Sequence, residues 1–228
     1  KKIQSDFFKT WFNFSLAATP GVIGGVWITF RTASILLPID FIEWAVLNYS
    51  LIFICCVSQF GLKPGYMQEV TDKGENLRYS ALITCLLILG VSGLFAGLIL
   101  LIIFKGFNYG GLWVNSKVLF WLPIHCLLTN LVMILHTDLR ILGKSNLIAK
   151  FSIIQTFVFL FSLELFLFFN TDVLSSFFAS LSISNFLIFI LMLQIIKIKK
   201  TATIDFYFIN NALKMGLNVV GGLLSRYG

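Results

Sequence analysis

The sequence predicts an all-α, polytopic membrane protein, and three observations lead to that fold class. Hydrophobic residues make up 58% of the 228 residues, and the mean hydropathy is +0.92. Charged residues make up 12%, about half of the ~25% that is usual in soluble domains. The apolar residues are also collected in six long runs that do not alternate as membrane β-strands would. Such a chain has too few polar side chains to cover a soluble fold of this size.

Each of the six runs is long enough to cross a bilayer as a helix. They cover residues 10–30, 44–62, 79–104, 118–137, 151–171 and 173–196, and only the fifth contains a charged residue, Glu164. About 20 consecutive apolar residues are needed to span a hydrocarbon core of ~30 Å. The sequence therefore predicts six transmembrane helices.

The end of the chain resembles a seventh span that is cut short. After a polar link, residues 215–225 are apolar, but the sequence stops at Gly228. We therefore expect residues 1–200 to form a six-helix bundle. We expect residues 201–228 to be a linker and the truncated start of a second bundle, so that the chain is a fragment of a longer protein.

The distribution of basic residues predicts the orientation in the membrane. If the N-terminus is cytoplasmic, thirteen Lys and Arg residues fall at the inner side, against two, Lys105 and Lys117, in the outer loops. Inner loops are enriched in Lys and Arg. The net charge of +7 is therefore a topology signal that predicts contact with membrane lipid and argues against a nucleic-acid partner.

Two ionisable residues within apolar surroundings are functional candidates, because charge in hydrocarbon is costly. Arg31 ends the first run, but residues 35–39 continue the apolar stretch. It either snorkels to the outer interface or binds an anionic substrate group, for which a guanidinium fork is suited. Glu164 is interpreted as lying in the middle of the fifth span, the only acidic residue deep in any span. It either forms structural hydrogen bonds or couples transport to a proton or cation.

Uncharged polar and small residues predict how the helices pack. Asn130 and Asn185 are expected to hydrogen-bond between helices, while Gln155 and Glu164 need not share a helix face. The pairs Gly21–Gly25 and Gly93–Gly97 have the G-x-x-x-G spacing that lets helices approach closely. With Pro20, the first pair is alternatively a bending hinge. The cysteines are expected to be embedded in the spans and inert: Cys55, Cys56, Cys85 and Cys126.

Signatures of catalysis or metal binding are missing from the sequence. It contains no G-x-S-x-G, no H-E-x-x-H and no Walker A loop, and the cysteine spacing fits no metal motif. We therefore expect no enzyme activity, no metal and no cofactor.

Short motifs give the chain a resemblance to a known family. Residues 30–41 read FRTASILLPIDF, residues 59–62 read QFGL and residues 139–144 read LRILGK. These segments resemble the N-terminal half of polysaccharide flippases of the O-antigen and capsule type, within the multidrug, oligosaccharidyl-lipid and polysaccharide exporter superfamily. The matching positions are Arg31, Pro38, Asp40, Phe41, Gly61, Leu62, Gly143 and Lys144, whereas Trp44 and Gln68 depart from the pattern.

The resemblance implies a fold of two bundles around a central cavity and a function in lipopolysaccharide or capsule synthesis. An undecaprenyl-diphosphate-linked oligosaccharide would pass from the inner to the outer leaflet of the bacterial inner membrane. Arg31 would bind phosphate or sugar, Lys63 and Arg140 would draw anionic headgroups to the cytoplasmic mouth, and Glu164 would couple transport to an ion gradient. Glycosyltransferases or a polymerase are the implied protein partners.

Two other functions remain open at this point. A small-molecule exporter of the same superfamily would use an aromatic cavity with an acidic residue, although Arg31 disfavours cationic drugs. A membrane scaffold without transport would have no water-filled cavity, and Arg31 and Glu164 would then face headgroups or partner chains.

Overall fold

The computed structural model describes most of the chain from Pro38 onward and a few residues before it. The described residues are 12, 15, 26–27, 29–31, 33–34, 38–73, 75–106, 116–169, 172–196, 203–205 and 207–214. Apart from short turns and connections these residues are helical, and no β-strand occurs among them. The helices are α1 (Pro38–Ser58), α2 (Leu62–Lys73), α3 (Glu75–Gly106), α4 (Ser116–Ile141), α5 (Ser145–Phe168) and α6 (Val173–Ile196). Residues 207–214 form a further short helical segment.

Five of these helices are long and apolar enough to cross a membrane, namely α1, α3, α4, α5 and α6. The chain is therefore a multi-pass helical membrane protein, and the second to sixth predicted spans are confirmed as helices. Most of the first predicted span lies outside the described residues, as does the apolar stretch 215–225. The count of six spans plus a seventh, and the two-bundle exporter fold, stay predictions.

The second predicted span begins earlier in the structure than in the sequence interpretation. Helix α1 starts at Pro38, six residues before the predicted start at Trp44. Proline suits the first position of a helix, because its fixed φ is helical and the missing N–H would have no partner there. The stretch from Pro38 to Phe41 is therefore the first turn of a helix.

The connection between the second and third predicted spans is mostly helical. Residues 62–73 form helix α2, and α3 begins at Glu75. Helix α2 is polar on average, but it buries Leu62, Tyr66 and Val70 in the core. This tertiary packing outweighs a weak local preference for helix. Gly61, with φ 69°, makes the turn that leads from α1 into α2.

Helices α3 and α4 form the most extensive pairing in the bundle, and glycine makes it possible. A Cβ added at Gly93 would lie 2.9 Å from the main-chain oxygen of Cys126, and one at Gly97 would overlap the main chain of Pro123. The prediction of close helix packing at Gly93–Gly97 is therefore confirmed. The predicted hinge at Pro20 and the Gly21–Gly25 pair lie outside the described residues.

The connection from α4 to α5 is a helix-ending motif that requires glycine. Gly143 has φ 67°, and its N–H donates to the carbonyl oxygen of Arg140 at 3.0 Å. The N–H of Lys144 donates to the carbonyl oxygen of Leu139, also at 3.0 Å. This pair of bonds is a Schellman motif, in which a left-handed residue closes the helix. The Gly-Lys pair of the family resemblance therefore has a backbone cause.

The segment after α6 packs back onto the bundle beside α2. Phe208 is buried and its ring meets the ring of Tyr66 edge-on, with centroids 6.4 Å apart. A Cβ at Gly65 would lie 2.7 Å from the Cα of Ala212, so the two backbones are in close contact. The side-chain amide of Asn211 donates to the Glu69 carboxylate at 3.1 Å. Residues 207–214, which were expected to belong to a linker, therefore pack against α2.

Candidate functional site

The two residues singled out as functional candidates are partners of each other. Arg31 donates from Nε to Oε1 of Glu164 at 3.1 Å and from Nη2 to Oε2 at 3.2 Å. This is the two-bond geometry in which a guanidinium recognises a carboxylate best. The side chains are 42% and 45% exposed, so the ion pair is open to a ligand from one side. The sequence indicated both residues as functional candidates but did not predict that they form an ion pair.

The Arg31–Glu164 pair forms part of the wall of a cavity of about 610 Å³. The remaining lining is apolar and mainly aromatic, and consists of Trp27, Phe157, Leu160 and Phe161. Ligand pockets of this size are commonly apolar with a few polar groups that fix orientation. The arrangement suits a ligand that carries both an apolar part and a charged group.

The cavity lies between one face of α5 and described helical residues that include Trp27 and Arg31. Phe157, Phe161, Glu164 and Phe168 follow one another at the three- and four-residue spacing of a single helix face. The exposed fractions of the three phenylalanines are 75%, 70% and 80%. An ion pair in such a stripe is poorly suited to contact with lipid chains. The ion pair is therefore the polar feature of an otherwise apolar face of α5.

The depth of Glu164 differs from the sequence interpretation. Glu164 precedes Phe168, the last residue of α5, by only four residues, or ~6 Å along the axis. The placement in the middle of the span was therefore wrong, because the helix ends before the apolar run does. Glu164 and Arg31 lie toward the end of the bundle that is predicted to be external.

The other two predicted binding residues, Lys63 and Arg140, lie together at the opposite end of the bundle. Lys63 is half-buried near the start of α2, and Arg140 is exposed in the last turn of α4. Burial lowers the pKa of Lys63, and the positive charge of Arg140 lowers it further. The structure thus joins Lys63 with Arg140 and separates this basic pair from Arg31 and Glu164.

A second ion pair, which sequence reasoning missed, is buried between α3 and α4. Arg78 donates from Nε to Oδ1 of Asp138 at 2.6 Å and from Nη2 to Oδ2. The hydroxyl of Tyr66 on α2 donates to Oδ1 at 2.6 Å. The side chains of Arg78 and Asp138 are 5% and 0% exposed. Burial and the negative charge of Asp138 raise the pKa of Tyr66, which keeps its hydroxyl a donor.

This cluster corrects two sequence interpretations. Arg78, one of the thirteen basic residues assigned to the inner side, precedes the third apolar run in the sequence but lies in α3. Glu164 is not the only acidic residue inside a span, because Asp138 belongs to the candidate span Lys117–Ile141. Arg78 and Asp138 each flank an apolar run, and in the sequence such charges were taken to lie outside the spans. The available signal was that opposite charges end two consecutive runs on the same side of the membrane.

A chain of uncharged polar side chains connects α4, α5 and α6. Gln155 donates to Asn185 at 2.6 Å, Asn185 donates to Thr129 Oγ1 at 3.1 Å, and Thr129 contacts Nε2 of His125 at 3.3 Å. Separately, Asn130 donates to Ser58 at 2.8 Å and to the Leu89 carbonyl at 3.5 Å. The predicted interhelical hydrogen bonds of Asn130 and Asn185 are confirmed.

Possible metal ligands do not come together in the described part of the chain. Among these residues, no three His, Cys, Asp or Glu side chains are close enough to hold a metal ion. The cysteines are free and lie within the candidate spans, with Cys55, Cys85 and Cys126 buried and Cys56 exposed.

The fold and the cavity together define a class: a multi-pass helical membrane protein with an ion pair on an aromatic cavity wall. Comparison adds no family to this class, since no protein family, curated protein or solved structure matches the chain.

Proposed function

We propose that this chain is the first bundle of a transporter that moves a lipid-linked oligosaccharide, of the undecaprenyl-diphosphate type, across the inner membrane. The observation that carries the proposal is the half-exposed Arg31–Glu164 pair on an aromatic cavity wall. A scaffold without transport has no need for a cavity with an ion pair in its wall. A lipid-linked sugar does need one, because its diphosphate and sugars must cross a region where lipid solvates neither.

The chemistry of the wall fits the two parts of such a substrate. The guanidinium of Arg31 offers planar donors for phosphate oxygens. Aromatic side chains such as Trp27 and Phe157 provide flat surfaces for sugar rings or for the first isoprene units. The lipid tail can stay in the bilayer while the polar part occupies the cavity.

The basic pair at the other end of the bundle supports a path with two stages. Lys63 and Arg140 lie at the end predicted to be cytoplasmic, where they would attract anionic headgroups from the inner leaflet. Arg31 lies toward the end predicted to be external. A substrate drawn to the first site would move to the second as the bundle changes its opening, as in alternating access.

The exposed phenylalanines on this face of α5 support a second bundle as a further wall of the cavity. In a two-bundle exporter this face would line the space between the bundles, with the N-terminus in the cytoplasm and the chain in the bacterial inner membrane. Enzymes that build and polymerise surface polysaccharide, namely glycosyltransferases and a polymerase, would be the neighbours of such a transporter.

A small-molecule exporter is the second candidate, and one observation favours it. The cavity wall is mainly aromatic and includes a carboxylate, which suits flat cationic compounds. In the structure, however, that carboxylate is already paired with Arg31. Such a function would require Glu164 to release Arg31 for a cation that the neighbouring guanidinium repels.

The experiment for the leading proposal replaces Arg31 in the full protein within its native host. Arg31→Ala should abolish surface polysaccharide, while Arg31→Lys should retain part of it, because lysine keeps the charge but loses the planar fork. Lys105→Ala is the matched control, since it removes an exposed cation near the same end of the bundle, away from the cavity. Polysaccharide is measured by gel and normalised to the amount of protein in the membrane. Native levels of polysaccharide with Arg31→Ala contradict the proposal.

A further inference from the structure

We propose that α2 is a hinged lid over the end of the bundle that is predicted to be cytoplasmic, and that residues 203–205 and 207–214 form a strap that holds it closed. The turn at residues 59–61 is the hinge between α1 and the lid. In the open state α2 leaves α3 and α4, while α1 stays in place. This movement does not depend on which ligand the cavity binds.

Helices α1 and α2 follow one path along α4, interrupted by a turn. Ser58, the last residue of α1, accepts a hydrogen bond from Asn130 at 2.8 Å, and Tyr66 on α2 donates to Asp138 at 2.6 Å. Both bonds join residues that are 72 positions apart, so α2 continues along α4 in the direction of α1. The turn therefore interrupts the backbone beside the candidate span Lys117–Ile141. Hinges are commonly a few residues at the ends of such elements, which absorb a change of backbone angles.

The hinge is strained in the closed state. Phe60 and Gly61 both have left-handed backbone angles, with φ 47° and 69°. The N–H of Leu62 donates to the carbonyl oxygen of Gln59 at 2.8 Å and closes a tight turn around them. Glycine adopts such angles freely, whereas the Cβ of a phenylalanine is brought too close to the neighbouring carbonyl oxygen. Opening lets Phe60 return to a negative φ, so the strain in the turn favours release of the lid.

Helix α2 depends on its contacts more than on its own sequence. It has 12 residues, and an isolated helix of this length is marginal in water. Gly65 lowers its intrinsic stability further. Its core contacts are made mainly by Leu62, Tyr66 and Val70. Segments that rest on few buried contacts are the ones that open locally in folded proteins.

The strap covers one face of α2 with an aromatic contact, a backbone contact and a hydrogen bond. The contacts are Phe208 on Tyr66, Ala212 on Gly65 and Asn211 on Glu69. Because the three strap positions are three and four residues apart, they form a single helix face. The strap is thus placed to hold α2 against the bundle.

The strap is also anchored to α3, independently of α2. The N–H of Asp205 donates to Thr84 Oγ1 at 2.9 Å, and the N–H of Thr203 donates to Ser80 Oγ at 3.4 Å. The carboxylate of Asp205 accepts from the N–H of Phe208 at 3.0 Å and so caps the helical part of the strap. The strap therefore has its own support on α3 and can stay in place when α2 leaves it.

Opening of the lid uncovers groups that are wholly buried in the closed state. Tyr66 withdraws its hydrogen bond from Asp138, which then keeps Arg78 as its partner. Cys85 of α3 is 0% exposed and belongs to the same buried cluster as Tyr66. The thiol of Cys85 therefore becomes accessible when α2 moves, and it reports the open state in the native sequence.

The test measures how fast N-ethylmaleimide labels each native cysteine, with the full protein in lipid nanodiscs and mass spectrometry to separate the sites. The exposed Cys56 should be labelled at once. Cys85 should be labelled slowly, at the rate at which the lid opens. Cys55 and Cys126 lie in a separate buried cluster on α1 and α4, and should be labelled more slowly still. Equal rates at Cys85 and Cys126 overturn the proposal, because only opening of the whole bundle then exposes Cys85.

A variant of the strap tests its hold on the lid. Phe208→Ala removes the ring that packs on α2 and should speed the labelling of Cys85 roughly tenfold or more, with Cys126 unchanged. Phe159→Ala is the matched control, because Phe159 is also buried and meets an aromatic ring, that of Phe177, edge-on in the other cluster. It should leave the rate at Cys85 unchanged. An unchanged rate at Cys85 in Phe208→Ala, or an equal rise in both variants, overturns the strap.

A pair of variants at one position tests the strained hinge. Phe60→Gly keeps the left-handed turn without strain, so the lid should open less often and the labelling of Cys85 should slow by about fivefold or more. Phe60→Ala is the matched control, because it loses the same exposed ring but keeps a Cβ and therefore the strain. It should be labelled at the native rate. Equal rates at Cys85 in the two variants, or faster labelling with glycine, overturn the hinge.

Discussion

Two Arg–carboxylate ion pairs of almost identical chemistry occur in this molecule, and their surroundings give them different roles. The Arg78–Asp138 pair is almost wholly buried between α3 and α4 and receives a third hydrogen bond from Tyr66. The Arg31–Glu164 pair is nearly half exposed on a cavity wall. In the first pair both carboxylate oxygens of Asp138 accept hydrogen bonds from protein side chains. In the second pair one side of the ion pair remains open to a ligand.

The difference shows why charge alone does not identify a binding site inside a membrane. A buried ion pair holds its helices together because removal of one partner leaves the other charge without solvent. An exposed pair contributes little to stability, since water competes for both partners. A charged residue in a span therefore becomes a candidate for ligand binding only when its partner can be exchanged.

The largest expected effect comes from breaking the buried pair. Asp138→Asn leaves Arg78 buried without a counter-charge and should lower the free energy of unfolding by ~3–5 kcal/mol. Glu164→Gln makes the same chemical change in the exposed pair and should lower it by less than ~1 kcal/mol. Denaturant titration of both variants in the same detergent, followed by circular dichroism, checks the contrast. Equal losses would show that burial does not separate the two pairs.

A smaller effect is expected from separating the two helices that carry the buried pair. Gly97→Ala places a methyl group against the main chain of Pro123 and should cost ~1–3 kcal/mol through overpacking. The control is Gly106→Ala, where a Cβ meets nothing within 4 Å and alanine is the better helix former. The midpoint of thermal unfolding should fall for Gly97→Ala and be unchanged or raised for Gly106→Ala. A stable Gly97→Ala protein would contradict the close contact of α3 and α4.

The smallest effect concerns the two basic residues at the opposite end of the bundle, Lys63 and Arg140. Because Arg140 lowers the pKa of Lys63, Arg140→Gln should raise that pKa toward the value of a free lysine. The folded-state pKa of Lys63 lies below its unfolded value, so burial and the charge of Arg140 cost stability while the lysine is charged. This cost is complete below the folded pKa and disappears as the pH rises from the folded to the unfolded pKa. Lys144→Gln, in an exposed cation nearby, should leave the pKa of Lys63 unchanged. NMR titration of ¹³C-methylated lysines measures both shifts, and equal shifts would reject the Lys63–Arg140 interaction.

The spans were predictable from the sequence because the membrane imposes a simple rule on it. Long apolar runs in lipid are expected to be helices, so the ends of α3 to α6 were placed to within six residues. Helix α2 was not predicted, because its polar residues and Pro64 are typical of a loop, and its helical state depends on burying Tyr66 against other elements.

The sequence predicted which residues belong to the candidate site, but it did not predict that they form an ion pair. Arg31 and Glu164 stand out because charge is rare in apolar runs, yet they are separated by 133 residues and only the packed bundle brings them together. The Arg78–Asp138 pair stayed hidden for the opposite reason. Charges at the ends of apolar runs usually reach water, and nothing in the local sequence indicates that these two are covered by α2 and Phe208.

The position of the buried pair also has a consequence for biosynthesis. Arg78 and Asp138 are 60 residues apart and lie at the same end of a helical hairpin, so the arginine is synthesised well before its counter-charge. We expect α3 and α4 to enter the bilayer as one unit, with Arg78 held in the headgroup layer until Asp138 leaves the ribosome. Ribosome-arrested chains that end between the two helices should then resist carbonate extraction less well than chains that include α4. Equal resistance would show that α3 integrates by itself.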